Sequence, residues 1–91
     1  MKILCTETFE KQLKHILKPM ANQNFEDTKK FKTYLDTILI NIPTKAAKYK
    51  KSVYYDNENV KDVEYEQYTI VFYIDELNNS YVILGIFDKN N

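Results

Sequence analysis

Apolar positions along the chain fall first into two helical stripes and then into a run of strands. Phe9, Leu13, Ile16 and Leu17 recur at i, i+4, i+7 and i+8, a spacing that puts them on one face of a helix. Thr6 stands ahead of them as a cap for the first orphan N–H groups. Pro19 is expected to end this helix, because Lys18 ahead of a proline is steered away from helical ψ. Met20 to Gln23 then reads as a connection. Asn24 is the expected cap of a second helix, with Glu26 and Asp27 against the positive end of its dipole. Phe31, Leu35, Ile38, Leu39 and Ile42 give i, i+4, i+7, i+8 and i+11, a longer stripe that Pro43 is expected to close. The short link predicts an antiparallel helical hairpin.

Beyond the helices the period changes to two. In Val60 to Asp75, Val63 and Tyr65 fall on one face while Asp62 and Glu64 fall on the other. Glu66-Gln67 reads as a tight turn, and Thr69 to Asp75 as a strand apolar on both faces, as at the centre of a sheet. Asn78-Asn79 suits a second turn, since asparagine tolerates positive φ. Tyr81 to Phe87 closes a three-stranded meander. Lys2 to Cys5 is a short first strand that pairs on one side of the meander; periodicity does not say which. The class is α+β with order β-α-α-β-β-β, a helical hairpin packed on one face of a small, mainly antiparallel, twisted sheet.

Composition bounds the function. Ninety-one residues suit one domain over residues 1–91. No apolar run approaches the ~20 residues that span a bilayer, and the start turns polar at Thr6-Glu7, too early for a secretory leader. The expected compartment is the cytoplasm, with no membrane partner. A lone Cys5 makes no internal disulfide and has no ligand partners nearby, so no metal and no cofactor are expected. Its expected state is a buried small hydrophobe. Net charge is zero, but unevenly spread. Residues 1–51 hold eleven lysines against five acids, a net +6; residues 52–91 hold two against eight, a net −6. Such asymmetry directs a charged partner to one surface. All thirteen cations are lysine, so the bidentate arginine fork for phosphate is missing.

The candidate contact residues for nucleic acid or another target lie mostly where the pattern is weakest. Lys45, Lys48, Tyr49, Lys50 and Lys51 are candidates, in a segment that goes on to Tyr54 and Tyr55, and Lys61, Tyr68 and Lys89 follow in the strand region. Lysines there would follow phosphates and tyrosines would stack on bases; the competing reading is an edge element with solvated lysines. Tyr68 and Tyr73 must fall on opposite sheet faces, so one of them is core. His15, the single imidazole, lies off the apolar stripe and has no partner that would make it a base. Asp62, Glu64 and Glu66, two apart, read as solubilising acids.

The strand region resembles the RelE/ParE family of toxins from bacterial type II toxin–antitoxin modules. Val60-Lys61-Asp62-Val63-Glu64 matches the opening of the family pattern, Tyr68 its first tyrosine, Phe72 the place of its second and Ile74-Asp75 its close. Val82 to Ile86 is similar to the last family strand. The resemblance implies a growth-inhibiting toxin held silent by a cognate antitoxin. It would act by ribosome-dependent mRNA cleavage or by inhibition of DNA gyrase, in the setting of plasmid stabilisation. The chain departs from the pattern where nuclease members carry arginine. Thr69 and Glu64 stand there, Glu66 replaces the turn glycine, and the residues after the last strand offer one cation, Lys89. These departures weigh against phosphodiester cleavage and leave catalytic residues unassigned. A non-catalytic interaction module on the same scaffold is the alternative.

Overall fold

A computed structural model describes residues 2–90. Six elements follow in the expected order: β1 (Lys2–Cys5), α1 (Glu7–Gln23), α2 (Phe25–Lys45), β2 (Val60–Tyr65), β3 (Tyr68–Asp75) and β4 (Ser80–Asp88). The sheet order is β1-β4-β3-β2. The meander is antiparallel throughout, while β1 joins it parallel to β4, with Ile3 opposite Tyr81 and Cys5 opposite Ile83. The fold is the α+β arrangement expected.

Both helices lie on one face of the sheet. Phe9 and Leu13 of α1 and Leu35, Leu39 and Ile42 of α2 meet Val63, Ile70, Phe72, Tyr81, Ile83 and Ile86 in one core. The strand partners come from a single face, since the register sets Val63 against Ile70 and Ile70 against Ile86. Thr6 fastens the start of α1 to the sheet. Its hydroxyl accepts from the Phe9 N–H at 3.1 Å and donates to the Ile83 carbonyl at 2.8 Å. One residue therefore caps a helix and ties its start to β4.

Neither proline ends its helix. Both α1 and α2 run past theirs, so Met20–Gln23 is helical and Asn24 alone separates the two. An interior proline forgoes one hydrogen bond and crowds the carbonyl four residues back, at a cost of about 3 kcal/mol. In α2 that loss is outweighed by burial, because Ile42 and Ala46, four residues apart across Pro43, both sit in the core. In α1 Pro19 is on the exposed side, and Asn24 satisfies the end of the helix by donating its N–H to the Met20 carbonyl at 2.9 Å.

Asn24 then starts α2. Its Oδ1 accepts from the Asp27 N–H at 3.0 Å, and its carbonyl accepts the Thr28 hydroxyl at 2.8 Å. Asn24→Ala removes the side-chain cap and should lower stability by about 1 kcal/mol. In a domain of this size that is a drop of about 4–8 °C in Tm, readable by circular dichroism. An unchanged Tm would mean that the cap contributes nothing.

Two turns place non-glycine residues in the left-handed region, Glu66 at φ 54 and Asn79 at φ 50. Asparagine suits that geometry; glutamate there stores about 1–2 kcal/mol of strain. β4 also carries a bulge. Val71 faces Gly85 but Phe72 faces Ile83, so Leu84 is the extra residue. The Gln12 carboxamide reaches across from α1, its Oε1 accepting from the Ile86 N–H at 2.8 Å.

Cys5 is exposed, contrary to the expected burial. β1 is the outer strand and has no neighbour on its far side. Burial of part of the side chain, then the Glu10 and Asp36 carboxylates, raise its thiol pKa, while Lys32 opposes them.

Candidate functional site

A group of charged and aromatic side chains forms a cleft on the sheet face that the helices leave open. Strand alternation turns Val63, Ile70 and Phe72 toward the helices and Asp62, Glu64 and Thr69 the other way. A second wall comes from the connection after α2. A single 3₁₀ turn, Ala46–Lys48, is followed by backbone running along the free edge of β2. There the Asp62 N–H donates to the Lys50 carbonyl at 3.1 Å and the Ser52 N–H to the Val60 carbonyl at 2.7 Å. This pairing covers an edge that would otherwise present bare N–H and C=O groups.

The chain then turns over the open face and is pinned there. The Val53 N–H donates to Asp62 Oδ2 at 3.0 Å and the Tyr54 N–H to Ser52 Oγ at 3.1 Å. The Tyr54 ring meets Phe87 of β4 edge-on at 4.6 Å. Between this flap and the sheet lies a cleft of about 500 Å³, lined by lysines 48, 50, 51 and 89 with Tyr49, Tyr54, Asp62, Glu64 and Thr69.

The cleft is basic by count, and two of its four lysines are paired with acids. Lys51 Nζ lies 3.2 Å from Asp56 and 3.5 Å from Glu58, and Lys89 Nζ lies 4.0 Å from Glu64. Among the described residues Lys48 and Lys50 enter no ion pair within 4.0 Å. Asp62 Oδ1 is buried with no hydrogen-bond partner, so the carboxylate that holds the flap is only half satisfied.

Five of the eight candidate contact residues come together here: Lys48, Tyr49, Lys50, Lys51 and Lys89. Tyr49 does double duty, its ring also meeting the core residue Phe72 edge-on at 5.9 Å. The other three lie elsewhere. Lys45 closes α2 without lining the cleft. Lys61 stands opposite Phe72 in the register, on the side of the sheet that faces the helices. Tyr68 is the inward tyrosine of its pair, its ring edge-on to Phe31 at 5.6 Å. Burial, with a smaller contribution from Asp88, raises its phenol pKa. The candidate set omitted Tyr54, Asp62, Glu64 and Thr69. The shared parity of Asp62 and Glu64 was visible in the sequence; which face that parity meant was not. His15 lies away from the cleft, in a shallow depression on α1.

As chemistry, the cleft offers ammonium groups and phenols for contact. Its carboxylates sit among the cations that would have to meet a phosphate.

The match to known proteins agrees with this architecture. The chain fits the family described as "ParE toxin of type II toxin-antitoxin system, parDE" over residues 3–90, from the first strand to beyond the last. No curated protein matches the sequence. The helical hairpin, the meander and all of β1 but Lys2 lie within the matched span, and the chain belongs to the ParE toxin family of type II toxin–antitoxin systems.

Proposed function

We propose that this toxin arrests growth by binding DNA gyrase, without cutting mRNA, and that a cognate antitoxin neutralises it in the cytoplasm. The observation that supports this reading is the charge inside the cleft. Cleavage of an RNA backbone requires cations held against the charge that develops on the phosphate. Glu64 and Thr69 occupy the places where nuclease relatives would have arginine, and Glu64 takes up Lys89. Two like charges about 4 Å apart repel by about 4 kcal/mol at an effective dielectric of 20, so Glu64 opposes a phosphate seated beside it. Protein binding needs no such phosphate site and is served by the exposed Val53, Tyr54 and Tyr55 beside the cleft.

Purified toxin added to gyrase, ATP and relaxed plasmid should abolish supercoiling, while mRNA on translating ribosomes stays intact. Transcript cleavage with supercoiling preserved would overturn the proposal in favour of ribosome-dependent action. Normal growth on induction, with neither effect, would assign the chain to the non-catalytic alternative. Co-expression of the antitoxin should restore growth.

A further inference from the structure

Away from the cleft, α1 carries a second concentration of positive charge. Lys11, Lys14, His15 and Lys18 follow at i, i+3, i+4 and i+7 and line one shallow depression with Pro19. This stripe faces solvent, while Phe9 and Leu13 of the same helix face the core. Lys11 reaches Glu7 at 2.9 Å, but both side chains are largely exposed, so the pair is weak and leaves the lysine available. Among the described residues Lys14 and Lys18 enter no ion pair within 4.0 Å. Because α1 continues through Pro19 to Gln23, Lys18 is held on the helix, and the stripe is a rigid row.

We propose that this row is a contact surface for the phosphate backbone of a nucleic acid. Three lysines over seven residues span about 10 Å at 1.5 Å per residue. Duplex DNA carries one charge per about 1.7 Å of axis, so roughly six phosphates lie alongside. Lysine ammoniums are compact point charges, suited to a backbone and not to base edges. The depression itself is lined by no acid, while the grooves that flank it hold Glu10 and Asp36 beside Lys14 and Asp88 beside His15. Complementarity to a polyanion therefore rests on the row of lysines itself. The division of charge along the chain also turns the lysine-rich part toward a polyanion and the acidic part away. The proposal does not depend on gyrase being the target.

The test is fluorescence anisotropy of the full chain with a labelled 20-base-pair duplex and a single-stranded RNA of equal length, titrated at several salt concentrations. Three phosphate contacts give a slope of log affinity against log salt of about −2.7 for the duplex and about −2.1 for the single strand. Lys14→Gln with Lys18→Gln should bring these to about −0.9 and −0.7. Both substitutions are on the surface, and circular dichroism confirms folding. Lys29→Gln with Lys30→Gln, exposed on α2, is the control for position and should leave both slopes unchanged. No binding at 20 mM salt, an unchanged slope in the α1 variant, or loss of the slope in the α2 variant overturns the proposal. So does self-association on sedimentation that the α1 variant abolishes, since the row would then seat a second copy.

Discussion

Phe72→Ala should destabilise the protein by about 3–5 kcal/mol. The side chain is fully buried in β3, the strand bracketed by β2 and β4. Its ring lies between Tyr49, at 5.9 Å, and Tyr81, at 6.2 Å. Truncation loses the transfer of the ring from water and leaves a cavity that two strands and a helical layer cannot collapse. A domain of this length has about 5–14 kcal/mol of total stability, so this one change removes a large part of it. The expected drop in Tm is at least about 12 °C, measured by differential scanning calorimetry. Phe87→Ala is the comparison. Phe87 is half-buried on the opposite face against the flap residue Tyr54, and its loss should cost less. Equal losses would refute the assignment of the core to the helix-facing side.

Gln12→Ala should lower stability by about 1–3 kcal/mol, the cost of leaving a buried N–H without its acceptor. The Ile86 N–H lies beside the bulge and donates to the Gln12 carboxamide oxygen from α1. The same carboxamide explains the glycine next to it. Gly85 has no positive φ, so its backbone conformation does not demand glycine. Space does: a Cβ there would lie 2.8 Å from Gln12 Oε1. Gly85→Ala should push the carboxamide off Ile86 in the wild type and be almost neutral when residue 12 is already alanine. A double-mutant cycle by urea denaturation measures that coupling. Additive effects would show that the carboxamide and the glycine do not share the site.

The sequence made the core legible where side chains obey a period. The stripes of Phe9–Leu13 and Leu35–Leu39–Ile42, the parity of Val63, Ile70 and Phe72 and the turn at Asn79 all reach the structure as read. Local rules failed where tertiary contacts overrode them. The proline rule would end both helices early, yet Ala46 is buried beyond Pro43 and Asn24 closes the helix beyond Pro19. Pairing partners carry no periodic signal, so the parallel place of β1 and the exposure of Cys5 could not be read. The cleft was half legible. A cluster of lysines and tyrosines after α2 is plain in the residues. That it folds over the acid-bearing face of β2 depends on hydrogen bonds to a strand further along, in which the Lys50 carbonyl accepts and the Ser52 and Val53 N–H groups donate. Strand alternation turns Lys61 and Tyr68, near in sequence to the cleft residues, to the other side.

The insertion of β1 beside β4 bears on how the toxin is made. Thr6, the hinge between β1 and α1, is fastened to Ile83, 77 positions downstream. During synthesis the pairing of the first strand and the anchoring of Thr6 therefore wait for almost the whole chain, and contacts of such long span form slowly. Translation that stalls before Ser80 would yield a helical hairpin with no sheet partner for β1 and no completed cleft.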